Sequence, residues 1–199
     1  MLTLSARQTV ARYPAVQPSA LVVNPAARRN IPAFLLFVLI ALYVLLCFDQ
    51  HGLSNDEEVQ HVYGRLLLDY YRSGLTDLSA FQYKNLYLYG GLFDLLAASA
   101  ERLAPAMNVW DLRHLLTALF GLGGLFAVYR TARLLAGEAA ALSAVGLLML
   151  TGAWSGALFT HTKDIPFAAC MAWATLCTVQ LVPSMPRPPP GCRSRQRPR

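Results

Sequence analysis

Four long apolar stretches of the chain lack Asp, Glu, Lys and Arg: 31–48, 115–129, 139–160 and 165–186. The second sits in a longer apolar body, 112–135, whose Arg113, Arg130 and Arg133 can snorkel at its ends. A helix needs about 20 mostly apolar residues to cross a hydrocarbon core of about 30 Å. All four stretches meet that requirement. They predict an all-α, polytopic membrane protein with spans at 31–48, 112–135, 139–160 and 165–182. The first could instead be a cleaved signal peptide. Its apolar run starts only at residue 31, no A-x-A-like site follows, and further spans come later, so an uncleaved signal-anchor helix is expected.

A fifth segment, 84–104 (KNLYLYGGLFDLLAASAERLA), is apolar on balance but interrupted by Asp94, Glu101 and Arg102. An Asp at the centre of a span costs about 2.5–3.5 kcal/mol on insertion scales. Charge asymmetry gives a second criterion. If 84–104 lies in the interface, residues 1–30, the turn near Gly137 and the chain after 182 share one side. That side then holds 11 Arg and a single acid, Glu138. The opposite loop, 49–113, holds five basic residues and nine acids. Short cytoplasmic loops are rich in Lys and Arg, so both termini are placed in the cytoplasm and the long first loop outside. A spanning 84–104 would carry Arg130 and Arg133 to the outer side and break the rule.

The net charge of +6 thereby loses its meaning as a nucleic-acid footprint. A nucleic-acid binder needs a basic face over a polar surface. Here charged residues make up 14% of the chain against about 25% in ordinary soluble domains. The excess of arginine is an inside signal with an attraction for anionic lipid. Cys47, Cys170 and Cys177 fall in expected spans and Cys192 in the tail, a pattern that builds no disulfide framework. No Cys/His set has zinc spacing. Residues 1–30 read as a polar, flexible cytoplasmic arm. Residues 183–199 (PSMPRPPPGCRSRQRPR) read as a Pro/Arg-rich disordered tail, the mark of a truncated or frameshifted reading frame.

The chemistry-bearing residues lie outside. After the first span the chain reads HGLSNDEEVQHVYGRLLLDYYRSG. Ser54 and Glu57 have capping-box spacing, so a helix starts near Asn55. Val59, Val62/Tyr63, Leu66 and Tyr70 repeat at helical spacing as an apolar stripe, and Gly74 is the expected stop. This predicts an amphipathic helix lying on the outer membrane surface. Asp56 and Glu57 could simply favour the helix dipole. Within ten residues of the bilayer, however, a carboxylate can take the proton of an acceptor hydroxyl that attacks an anomeric carbon. Such a reaction also needs a cation at the leaving phosphate. Lys84 in FQYKNLYLYG and Lys163 in FTHTKDIPFA are the candidates, with Asp164 and His161 in the second external loop. Taken alone, Lys163–Asp164 is a polar turn ahead of Pro166 in the first turn of a helix.

An Asp-Glu pair soon after the first span, a Tyr-Lys before a Tyr-rich apolar segment, DLRHLLTALFGLGGLFAVYRTARLLAG and then HTKDIPFA occur here in that order. Together they resemble the protein O-mannosyltransferase/aminoarabinose-transferase superfamily, membrane glycosyltransferases of the GT-C architecture. The nearest likeness is to its bacterial, dolichyl-phosphate-mannose-protein mannosyltransferase-like branch, over about residues 31–182. The resemblance implies transfer of a sugar from a polyprenyl-phosphate donor to a protein, lipid or glycan hydroxyl, usually with inversion, on the outer face of a bacterial inner membrane. It implies that Asp56 is the catalytic acid residue with Glu57 as its partner. Lys84 and Lys163 would face the donor phosphate, and Asp164 would be the acid of the second loop. No protein ligand set demands a metal, and a divalent cation is the one cofactor left open. Two departures stand out. Residues 58–64 contain no Arg or Lys, unlike the aminoarabinose branch. Family members are also much longer, with more spans. The alternative is a non-catalytic membrane scaffold or an inactive fragment. A transporter fragment fits less well, because transporters hold their ionisable residues near the midplane.

Overall fold

The first helix, α1 (Ile31–Cys47), is apolar all round, so hydrophobicity alone does not mark its inward face. Ala33, Ile40 and Val44 are buried, while Phe34, Leu39 and Leu46 point outward with about two-thirds of their surface exposed. The computed structural model describes residues 31–182, and they are all-helical, with no strand among the described residues. The expected arm 1–30 and tail 183–199 lie outside the described residues.

The longest element is α5 (Val109–Leu150). It begins where the Asn108 carboxamide oxygen accepts the Trp110 N–H at 2.8 Å, an ordinary N-cap. It is kinked at Gly137, whose φ of 86° and ψ of −175° belong to a region only glycine enters readily. Leu125 and Tyr129 before the kink share one apolar cluster with Ala141 and Val145 after it, and with Ala33 and Ile40 of α1. The chain therefore doubles back at Gly137. Helix α5 thus joins the stretch expected as the second span to the first part of the third. Helix expected over 139–160 stops at Leu150, because Thr151 turns extended and its hydroxyl donates to the Leu148 carbonyl at 2.7 Å. A single turn, α6 (Gly152–Ser155), and irregular backbone then lead to α7 (Asp164–Leu181). Among the described residues, only α5 and α7 are long and apolar enough to cross a membrane by length and composition, and α1 is a shorter apolar helix of 17 residues.

Helices α5 and α7 meet through small residues. A Cβ placed on Gly124 would sit 3.0 Å from the Ala169 backbone, so the helices are nearly in backbone contact. Close approach over Gly and Ala, with Phe and Leu turned outward, is how helices pack where apolar burial supplies no drive between them.

Between α1 and α5 the chain forms a helical cap: α2 (Glu57–Arg72), α3 (Ser79–Gln82), a 3₁₀ turn at Leu86–Leu88 and α4 (Leu92–Leu103). Helix α2 stops as expected at Gly74. Its φ is 69°, and the Leu75 N–H reaches the Tyr70 carbonyl while the Gly74 N–H reaches that of Tyr71, a Schellman motif. The expected apolar stripe is rotated, however. The inward face of α2 is Glu57, Gln60, Tyr63, Gly64 and Leu67, packed on α4 rather than laid on a surface. Gly64 permits this, because any Cβ there would strike the Asp94 backbone. Segment 84–104 holds no helix long enough to span, since α4 has 12 residues.

Candidate functional site

At the end of the molecule where α1 stops, two breaks in helix meet, 48–56 and 156–163. The His51 ring stacks on that of Phe159, 4.2 Å between centres, and polar contacts join the rest. The Ser54 hydroxyl donates to the Thr160 carbonyl at 3.3 Å. Lys163 Nζ donates to Asp56 Oδ2 at 2.7 Å across 107 residues of sequence. Asp56 occupies the N-cap position of α2 and Lys163 that of α7. Both side chains are open to solvent, Asp56 by 65% and Lys163 by 39% of their surface. The Lys163 hydrogen bond and charge hold the Asp56 carboxyl below its ordinary value, helped by His161 nearby. The same bond raises the Lys163 ammonium, with Asp164 and Tyr89 adding to it. Lys163 also lies over the Tyr89 ring, 5.6 Å from its centre.

Asp56, His161, Lys163 and Asp164 are therefore neighbours, as their shared placement outside the spans predicts. His161 is exposed and its Nδ1 is 3.2 Å from the Thr160 hydroxyl; Asp164 is exposed at the first position of α7. Lys84 stands apart. It has a left-handed backbone, φ 47°, its ammonium lies over the adjacent Tyr83 ring at 5.6 Å, and no ion pair joins it to Asp56.

Glu57 departs from the expected role as a partner of Asp56 in one open site. Successive residues on a helix point about 100° apart, and Glu57 points inward, fully buried. Its Oε2 accepts the Ser54 N–H at 2.6 Å, half of the expected capping box. The other half is missing because the Ser54 hydroxyl is spent on Thr160. Oε1 stands 2.9 Å from His114 Nε2, at ion-pair distance but off the line of a hydrogen bond. Burial works to raise the Glu57 carboxyl. The contacts with His114 and Ser54 outweigh it and hold the group below its ordinary value.

Sequence reasoning missed the buried half of this cluster. His114, near the start of the expected span 112–135, is fully buried, and its Nδ1 is 3.2 Å from the Phe48 carbonyl. Arg113, expected to snorkel, is fully buried too and donates from Nη2 to Asp94 Oδ1 at 2.7 Å. Its Nε and Nη1 have no hydrogen-bond partner among the described residues. Burial pushes the Asp94 carboxyl up to about 6 against the opposing pull of Arg113. Beside it, His61 Nδ1 lies 2.9 Å from Glu101, and Arg65 Nε 3.7 Å from the same carboxylate. Burial dominates at His61 and lowers its proton affinity. The signal for these residues was present but ambiguous: an acid inside an apolar segment at 94 and a basic pair, Arg113-His114, at the mouth of a span.

No group of three or more His, Cys, Asp or Glu is placed to hold a metal ion among the described residues. Two charges of opposite sign, exposed and adjacent, can accept a proton and neutralise a phosphate. Comparison with protein-family models, curated proteins and solved structures gives no match to the chain.

Proposed function

We propose that this chain is a membrane glycosyltransferase of the GT-C kind, or a module of one. It moves a sugar from a polyprenyl-phosphate donor to a protein, lipid or glycan hydroxyl on the periplasmic face of a bacterial inner membrane. The observation that carries the reading is the exposed Asp56–Lys163 pair at the polar end of an apolar helical body. The doubling back at Gly137 and the arginine-rich composition of 1–30, 130–133 and 183–199 support a placement of that pair outside, at the end away from those arginines.

In this reading the donor phosphate draws Lys163 away from Asp56. The Asp56 carboxylate, no longer held low by the ammonium, becomes a better base and takes the acceptor hydroxyl proton. The acceptor oxygen bonds to the anomeric carbon from the opposite face as the bond to the phosphate oxygen breaks. The electron pair leaves on the phosphate, where Lys163 neutralises it. Glu57 is a positioning residue: buried against His114, it fixes the first turn of α2 and so the place of Asp56. Lys84 supplies a second cation on the donor's path, and a divalent cation is tested by assay with and without a chelator.

Membranes containing the chain are incubated with a radiolabelled polyprenyl-phosphate sugar, and release of label from the polyprenyl carrier is followed. Asp56→Asn is expected to lower transfer by at least about 100-fold, the lower range for a lost general base, with insertion unchanged. The exchange Asp56→Lys with Lys163→Asp restores the ion pair but not the chemistry, and should stay inactive. Full activity in either variant would overturn the assignment.

A further inference from the structure

A groove of 630 Å³ runs between α1 and the first half of α5, far from Asp56 and toward the Gly137 end. Ala33, Phe34, Phe37, Leu119, Leu122 and Phe126 form its walls. Among the described residues nothing covers it: Phe34 is 68% exposed and Leu119 48%. Polarity is confined to one end. There Arg130, exposed, lies over the Phe126 ring with its guanidinium carbon 5.8 Å from the ring centre. Arg133 Nε lies 3.0 Å from Glu138, whose carboxylate also accepts the Tyr129 hydroxyl at 2.9 Å. Arg133 thus balances the acid at this rim, and Arg130 leaves it net positive.

We infer that this groove is a binding site for an anionic phospholipid of the leaflet at the Gly137 end, one acyl chain along the phenylalanine-lined trough and the headgroup phosphate on Arg130. Guanidinium planes suit phosphate oxygens, and an anionic leaflet draws basic residues at its surface. The other occupants are disfavoured by charge. Residues 1–30 and 183–199 carry four and five arginines and no acid, so either segment would bring positive charge against Arg130. A second copy docking through the same face would oppose arginine to arginine. The site rests on the reading that α1, α5 and α7 stand in a bilayer.

The full chain is reconstituted in phosphatidylcholine vesicles with trace spin-labelled phosphatidylglycerol or phosphatidylcholine, and the immobilised fraction of each label is measured. The phosphatidylglycerol label is expected to be held preferentially. Arg130→Ala should cost about fivefold of that preference, the factor for one basic residue at an anionic surface, and Arg130→Lys should retain most of it. A photo-crosslinking residue at Leu119 should yield lipid adducts. Equal retention of both labels by an inserted chain, an unchanged preference in Arg130→Ala, or adducts to the chain's own termini or a second copy would each overturn the proposal alone. A chain that alkaline carbonate strips from the vesicles would overturn the bilayer reading with it.

Discussion

Asp94 carries the clearest pH prediction of any single residue. Burial raises its carboxyl to about 6, so the folded state holds a proton that the unfolded chain releases near 4. The stability from that proton is complete below about pH 4 and is lost as pH rises through about 6. Two pH units correspond to up to about 3 kcal/mol, an upper bound because Arg113 relaxes with it. The unfolding temperature in detergent across pH 4–7 should therefore fall more, or rise less, with pH in the wild type than in Asp94→Asn; parallel profiles would refute it. Asp56 runs the other way, since its Lys163 partner lowers it. Sequence put both candidate cations, Lys84 and Lys163, on the side of Asp56 relative to the expected spans, but which of them meets Asp56 was not legible. Burial of Glu57 was not. Adjacent acids look alike in a sequence, and only the packing of α2 on α4 decides which one turns inward.

At the level of the helix, two glycines are most exposed to test. Gly137 adopts a backbone that a Cβ strains, although nothing lies within 4 Å of where that Cβ would be. Gly137→Ala should cost about 1–3 kcal/mol from conformation alone. Gly64 is the converse case, helical in backbone but pressed on Asp94. Gly64→Val should force α2 and α4 apart and cost about 1–3 kcal/mol as overpacking. Chemical denaturation in mild detergent reads both, and a neutral Gly64→Val would mean that the α2–α4 contact is looser than described. Apolar runs announced α1, α7 and both arms of α5 because their signal is local. The inward face of α2 escaped because it carries two polar residues, Glu57 and Gln60, and the partner of Glu57, His114, lies on α5.

For the whole molecule, the topology can be read directly. In a background lacking native cysteines, Leu103→Cys should react with a membrane-impermeant thiol reagent added outside, and Ala139→Cys only after permeabilisation. Leu103 is 87% exposed, so the reagent meets no steric barrier there. Protection of Leu103→Cys would move the cap to the cytoplasmic side. The exposed pair also has a consequence for the order in which the protein is made. The contacts closing the polar end join residues 106 and 107 positions apart, Ser54 to Thr160 and Asp56 to Lys163. Helices α2 and α4 can pack on one another long before that, as can α1 on the first arm of α5. During synthesis the polar end must therefore stay open until Lys163 has left the ribosome. The candidate site is then assembled late, with the docking of α7, and ribosome-arrested chains ending before Lys163 should carry a fully solvent-reactive Asp56 on an otherwise folded cap.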